Sequence, residues 1–76
     1  MLNTGDLVVP TNGYCFLEHD LKEIRGKRFH FSQSEVGTVL EVGEGNMFNS
    51  RMVRILTQRG VGWCLHDWLE RVNESG

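Results

Sequence analysis

The chain has 76 residues, of which 39% are hydrophobic and 24% charged, and its formal net charge is −2. This length allows one domain and excludes two, and the composition is that of a globular rather than a disordered protein. The acidic balance argues against a strong sequence-independent nucleic-acid binder, which usually carries a basic excess, but it leaves room for a local basic patch.

Targeting signals are not apparent in the sequence. The first nine residues, MLNTGDLVV, lack a basic start and a long apolar run. No apolar run approaches the roughly 20 residues that span a bilayer. We therefore expect a cytoplasmic protein without membrane contact, in which the two cysteines remain thiols.

Short β-rich runs between glycines indicate an all-β domain. The run "DLVVP" predicts a first strand that ends at Pro10, which has no N–H to donate. Residues 11–35 form a long connection, which we expect to fold back as an irregular hairpin with "YCFL" and "RFHF" as its arms. The helical spacing of Leu17, Leu21 and Ile24 favours a short helical turn as the alternative.

Alternation of apolar residues predicts the faces of two central strands. In "EVGTVLEVGEG", Val36, Leu40 and Val42 are expected to share one face. In "SRMVRILTQ", Val53 and Ile55 are expected on one face, with the intervening arginine on the other. Both segments therefore predict strands that bury one side against a core.

The last third of the chain predicts a hairpin and a short final strand. "TQRG" indicates a tight turn, "VGWC" a return strand and "LERV" a last strand, with a single 3₁₀ turn in "LHDWLE". Five short strands separated by turns predict one small antiparallel barrel over residues 1–76.

The stretch "GWCLHDWLE" (62–70) resembles the end of Src-homology-3-type domains. There, a Gly-led strand runs into a 3₁₀ turn, an aromatic and a final aliphatic strand. The bacterial version typically reads Gly-Trp-Val, three variable residues and Tyr-Leu. The preceding order also fits, with a long arginine-threonine-type loop at 11–35 and a distal hairpin at 58–60. The resemblance implies a five-stranded SH3-like barrel with a long first loop and a 3₁₀ turn before the last strand.

The resemblance also implies positions for individual side chains. It places Cys64 and Leu69 in the core, and Leu65 and Trp68 at the edge of a ligand groove, with Trp68 partly exposed. Simple strand alternation would instead bury Trp63 and expose Cys64. We favour burial of Cys64, because free cysteine is among the most buried residue types.

The sequence departs from the eukaryotic peptide-binding members of that family. Its first strand region reads "GDLVVPTNG" where they carry an Ala-Leu-Tyr-Asp-Tyr-like run. Arg51 and Met52 stand near the place of a Trp, and Leu65 stands where a Pro is usual. We therefore expect the aromatic lining that docks polyproline helices to be largely missing, and polyproline binding is not carried over.

A non-catalytic, protein-binding adaptor module is the function that the sequence favours. Trp and Tyr are enriched among interface hot spots. The residues expected to form the protein-binding groove are Trp68, Leu65, Tyr14 and Trp63. Compact single-barrel chains of this style are often accessory proteins of phages or mobile elements. Met47 and Phe48, in an apparent loop, further indicate a partner or a homo-oligomer.

The segment "LKEIRGKRFHF" supports nucleic-acid association as the alternative function. It interleaves basic residues with aromatic ones, as single-strand nucleic-acid platforms do. The basic residues concerned are Lys22, Arg25, Lys27, Arg28 and His30. Phe29 and Phe31 alternate with two of them, which is also how a strand buries one face. Nearby acidic residues reduce the positive electrostatic field of this basic segment.

Cysteine and histidine chemistry receives little support from spacing. Cys15, His19, Cys64 and His66 could supply a Cys₂His₂ set, but structural zinc sites use tighter like pairs. In a strand, Cys64 and His66 would lie about 7 Å apart at ~3.3 Å per residue, beyond hydrogen-bond reach. We therefore expect two isolated thiols, surface histidines, no metal, no cofactor and no catalytic residue.

Overall fold

The computed structural model describes residues 2–20, 26–43 and 51–72, and there the chain is all-β, as predicted. The strands are β1 (Leu7–Pro10), β2 (Tyr14–His19), β3 (Arg28–Ser32), β4 (Gly37–Val42), β5 (Met52–Thr57), β6 (Gly60–Leu65) and β7 (Leu69–Arg71). A 3₁₀ turn at His66–Trp68 precedes the last strand, which confirms that prediction. Within the described ranges, no helix has the length and apolarity that crossing a bilayer requires.

The strands form one antiparallel sheet that curls into a half-barrel. Their order across the sheet is β3-β2-β6-β5-β4-β1-β7. The described residues form seven strands, where the sequence predicted five. The difference arises because both arms of the 11–35 connection are regular enough to pair as strands.

The β2–β3 hairpin is the feature that positions the candidate site. Its arms pair from Tyr14↔Ser32 to Glu18↔Arg28, as the hairpin prediction required. The end of β2 also pairs with β6, through Glu18↔Trp63 and His19↔Gly62. Leu17 is buried within a strand, so it does not begin the alternative helical turn. The other two residues of that alternative, Leu21 and Ile24, lie outside the described residues.

The concave side of the sheet buries the core. Its buried hydrophobic residues are Leu2, Val8, Cys15, Leu17, Phe31, Val39, Val53, Ile55, Cys64 and Leu69. Val53 and Ile55 are fully buried and the intervening Arg54 is not, which confirms the alternation predicted for β5. Each buried aliphatic or aromatic side chain of this kind stabilises the fold by about 1.5–3 kcal/mol.

The face predicted for β4 is wrong. Val36 precedes the strand and is 47% exposed, whereas Val39 is buried and Leu40 is only partly buried. The pairing with β5 shifts register between Val39 and Glu41. A bulge adds one residue and interrupts the two-residue alternation. As a result Val42, beyond the shift, packs against the core as expected, although Val36 does not.

Gly62 allows the hairpin to lie close against β6. A Cβ at this position would meet the Cβ of Leu17 at 2.8 Å, and both the carbonyl oxygen of Glu18 and Cε1 of Phe29 at 2.9 Å. Real side chains do not tolerate such distances from backbone atoms. The glycine that begins the "GWC" motif is therefore required by the close approach of two strands.

Candidate binding groove

An open groove of about 580 Å³ lies between the β2–β3 hairpin and the segment formed by β6 and the 3₁₀ turn. The four residues predicted for a protein-binding groove all line it, although they come from three separate elements. They are Tyr14 from β2, Trp63 and Leu65 from β6, and Trp68 from the 3₁₀ turn. Met52, the first residue of β5, adds an apolar side chain to the lining.

One wall of the groove is an aromatic cluster on the hairpin. Tyr14 and Phe16 alternate along β2, so both point outward, and both are exposed. The ring of His30, which is the cross-strand partner of Phe16, stacks on Tyr14 with centroids 5.3 Å apart. Phe16 meets His30 edge-on at 5.6 Å. These contacts stabilise the wall, because aromatic cross-strand pairs hold one another in place.

Hydrogen bonds to one carboxylate hold the opposite wall. The indole Nε1–H of Trp63 donates to Oδ1 of Asp20 at 2.7 Å. Nε of Arg54 donates to Oδ2 of the same carboxylate at 3.2 Å. Asp20 therefore joins the end of β2 to β5 and β6, and it fixes the plane of an aromatic ring that lines the groove.

The 3₁₀ turn places Trp68 and Leu69 on opposite sides of the sheet. Trp68 is 43% exposed and lines the groove, whereas Leu69 is 6% exposed and belongs to the core. The carbonyl oxygen of Trp68 accepts hydrogen bonds from N–H and Oγ1 of Thr11, at 2.9 and 3.4 Å. The predicted burial of Leu69 and exposure of Trp68 are confirmed.

Two cysteine thiols form part of the groove floor. Cys15 and Cys64 are both free, both buried and both part of the lining, so the burial predicted for Cys64 is confirmed. The expectation of two isolated thiols is wrong, because both lie in the same core cluster and line the same groove. A hydrogen bond with Cys64 lowers the pKa of Cys15, against the opposing effect of burial. Donating the bond raises the pKa of Cys64, and burial raises it further.

The charges in the groove are balanced. Glu18 and Arg28 are directly opposite each other in the β2–β3 register, and both line the groove. Among the lining residues that the structure describes, Arg28 is the one arginine or lysine. The groove therefore combines an aromatic and apolar surface with one acidic and one basic side chain.

The basic and aromatic residues of the alternative site are divided between two faces. Arg28 and His30 lie on the outward face of β3, and Lys27 is exposed just before the strand. Phe31 is fully buried and Phe29 packs against the core. These two rings therefore do not form the proposed stacking surface, because the core takes the face on which they lie.

Some predicted residues cannot be placed on this surface. Lys22 and Arg25 of the basic segment lie outside the described residues, as do Met47 and Phe48, expected at a partner or oligomer contact.

The four candidate metal ligands do not come together as a set. His19 packs on the ring of Phe29 with centroids 4.4 Å apart. Nε2 of His66 accepts a hydrogen bond from the N–H of Leu2 at 3.3 Å. Across the described part of the chain, no group of three or more His, Cys, Asp or Glu side chains could hold a metal ion.

The aromatic lining is richer than the sequence led us to expect. Four aromatic residues line the groove, and three of them, Tyr14, Trp63 and Trp68, are among the predicted groove residues. Phe16 is the aromatic lining residue that the sequence analysis did not predict for the groove. Its position two residues after Tyr14 in a predicted hairpin arm was a usable signal, because alternate residues of a strand share a face.

No protein-family model, curated protein or solved structure matches the chain. The functional conclusion therefore rests on the groove itself.

Proposed function

We propose that this protein is a non-catalytic, protein-binding module with an SH3-like architecture, and that its groove binds an extended peptide segment of a partner. One observation carries the proposal. The described residues include five exposed large hydrophobic side chains, and three of them, Tyr14, Phe16 and Trp68, converge on one groove. Contiguous exposed apolar surface of this kind marks interaction sites.

The order of elements supports the architecture. If the β2–β3 hairpin is counted as the long first loop, five strands remain, namely β1 and β4–β7. A 3₁₀ turn lies directly before the last of them. This is the arrangement that the resemblance of residues 62–70 implies.

The composition of the groove favours an apolar peptide over a phosphate backbone. Nucleic-acid platforms pair aromatic rings with an excess of cations. Here Arg28 faces Glu18 across the hairpin, and the whole chain carries a net charge of −2. An extended peptide needs no such excess, since buried aromatic contacts supply most of its binding energy.

The aromatic side chains of both walls are already held in place, so peptide binding would cost little side-chain conformational entropy. Trp63 is fixed by Asp20, and Tyr14 is stacked on His30. Ordering a side chain on binding costs about 0.5–1.5 kcal/mol, and pre-ordered groups avoid that cost. A partner segment with bulky apolar side chains at consecutive positions would contact both walls, because successive side chains project on opposite sides of an extended chain.

The test is selection of random displayed peptides on the immobilised protein, followed by NMR of the nitrogen-labelled protein with an enriched peptide. The chain has two tryptophans, so it gives two indole N–H signals. We expect both signals, from Trp63 and Trp68, to shift as peptide is added. Failure to enrich any peptide, or shifts confined to residues away from the groove, would contradict the proposal.

Nucleic-acid association is the second candidate, because Arg28 lies among the groove aromatics. It is tested with single-stranded DNA and RNA oligonucleotides at low salt. Retention that falls steeply with salt and is lost in Arg28→Glu would favour this function. No retention at low salt would remove it.

A further inference from the structure

Two sequence-distant cysteines meet where β2 lies against β6. The inward-facing residues of β2 are Cys15 and Leu17, and those of β6 are Gly62 and Cys64. The strands pair at Glu18↔Trp63, immediately beside Leu17 and Cys64. Cys15 is thus a diagonal neighbour of Cys64 on the same face of the sheet.

From this placement we propose that Cys15 and Cys64 form a reversible disulfide across the floor of the groove, which makes the pair a site of oxidative modification. The bond requires two cysteine side chains that face each other, since cysteines whose side chains point apart cannot be bridged without backbone movement. Both side chains lie in the same core cluster and line the same groove. Diagonal neighbours in a sheet have Cβ atoms up to about 7–8 Å apart, and a disulfide needs about 4 Å, so bridging them requires backbone movement of β2 towards β6 as well as side-chain rotation.

The two thiols differ in access. Cys15 is 9% exposed and Cys64 is 2% exposed, and both line the open groove. A small reagent that enters the groove meets Cys15 first. Cys15 also has the lower pKa of the pair, because Cys64 hydrogen-bonds to it. The attacking species in thiol chemistry is the thiolate, so Cys15 is the first nucleophile and Cys64 the resolving thiol.

The co-reactant is a low-molecular-weight disulfide. The Cys15 thiolate attacks one of its sulfurs, a mixed disulfide forms, and one thiolate leaves. The Cys64 thiol gives up its proton and attacks the Cys15 sulfur, which expels the second thiolate. The two protein protons pass to the two leaving thiolates. Two protein thiols are thereby oxidised to one disulfide, and the small disulfide is reduced to two thiols.

This site is independent of peptide binding. The proposal concerns the relative placement of Cys15 and Cys64, and it holds whether the groove takes a peptide, an oligonucleotide or neither. A negative result on the disulfide would leave the proposed binding function intact, and the reverse also applies.

The experiment equilibrates the wild-type protein with mixtures of reduced and oxidised dithiothreitol, once in native buffer and once in denaturant. After acid quenching, intact mass and thiol labelling give the oxidised fraction, and peptide mapping identifies the Cys15–Cys64 linkage. We expect the equilibrium constant for the bond to be at least tenfold larger in native buffer, which corresponds to about 30 mV for a two-electron couple. An equilibrium constant for the disulfide that is no larger in native buffer than in denaturant would overturn the proposal.

Single variants supply the matched controls. Cys15→Ser and Cys64→Ser each retain one thiol, so neither can form the internal bond. Under the same conditions, neither variant is expected to give a monomer whose mass is lower by two hydrogens. An internal bond in the wild type that maps to Cys15 and Cys64 and is absent from both variants supports the assignment. The comparison of native with denatured wild type does not depend on the folding of either variant.

Discussion

The indole N–H of Trp63 and the carboxylate of Asp20 are joined by a 2.7 Å hydrogen bond between residues 43 positions apart in the chain. The same carboxylate accepts from Arg54. One acidic side chain at the end of β2 thus connects the hairpin to two strands of the central sheet. The orientation of a groove wall depends on this contact.

Replacing Asp20 with Ala should loosen the wall more than it destabilises the fold. The lost contacts are partly exposed, so we expect about 0.5–1.5 kcal/mol of stability to be lost, the range of a single hydrogen bond. Urea melts measure this loss. Fluorescence anisotropy in a Trp68→Phe background should fall, because the indole of Trp63 loses its acceptor.

Asp20→Asn is the matched control for that change. It keeps an oxygen acceptor for the indole and removes the charge that pairs with Arg54. We expect its anisotropy to stay near that of the parent. If Asp20→Asn loosens Trp63 as much as Asp20→Ala does, the ion pair with Arg54 and not the indole hydrogen bond holds the wall.

Gly62→Ala should destabilise the protein by about 1–3 kcal/mol, the usual cost of overpacking. The added methyl group would press on Leu17 and on the backbone of Glu18, where β2 approaches β6. Val36→Ala is the control, since Val36 is exposed and surface changes usually stay within about 0.5 kcal/mol. Denaturant melts compare the two. Equal denaturation midpoints for both variants would show that the β2–β3 hairpin can move away from β6 with little loss of free energy of unfolding.

Alkylation should modify Cys15 before Cys64 in the native protein. The pKa of Cys15 is lowered by its hydrogen bond from Cys64, so its thiolate forms at lower pH than that of an ordinary thiol. The pKa of Cys64 is raised, so this thiol stays protonated and reacts when the protein unfolds. Timed iodoacetamide labelling across pH, read by peptide mass, measures both. Earlier labelling of Cys64 would contradict this order.

Cys64→Ala tests the cause of that difference. The variant removes the donor, so the pKa of Cys15 should rise and its labelling should begin at higher pH. An unchanged pH profile for Cys15 would mean that the neighbouring thiol does not control its ionisation.

Local patterns predicted the elements that local forces determine. The alternation of Val53 and Ile55 predicted the buried face of β5, and the short segment "LHDWLE" predicted the 3₁₀ turn. The burial of Leu69 was implied by the resemblance of residues 62–70 to Src-homology-3-type domains. The face of β4 could not be predicted this way, because a bulge after Val39 interrupts the alternation without a sequence signal.

The parts of the site that were missed depend on long-range pairing. Cys15 and Cys64 meet because β2 pairs with β6, which no spacing within the sequence specifies. The aromatic wall likewise depends on the hairpin register that sets Phe16 opposite His30. Tyr14 and Trp68 were identified from residue type, but only the fold shows that they line one groove.

Leu69→Ala should cost about 2–5 kcal/mol, the range for emptying a buried leucine site. A loss of that size is a large part of the total stability of a small domain and could unfold it. Trp68→Ala should cost less, because its side chain is exposed to solvent on the groove side. Denaturant melts of the two variants give the comparison. If Trp68→Ala unfolds the domain as readily as Leu69→Ala, Trp68 is a core residue.

The most direct test of the binding groove is the affinity of one selected peptide for three forms of the protein, measured by calorimetry. The forms are wild type, Trp68→Ala and Leu56→Ala, the last being an exposed hydrophobic residue of β5 outside the groove lining. We predict that Trp68→Ala weakens binding by about 30-fold, equivalent to roughly 2 kcal/mol at a hot spot, and that Leu56→Ala binds as wild type does. Equal affinity of wild type and Trp68→Ala for the peptide would contradict the assignment of the groove as the binding site.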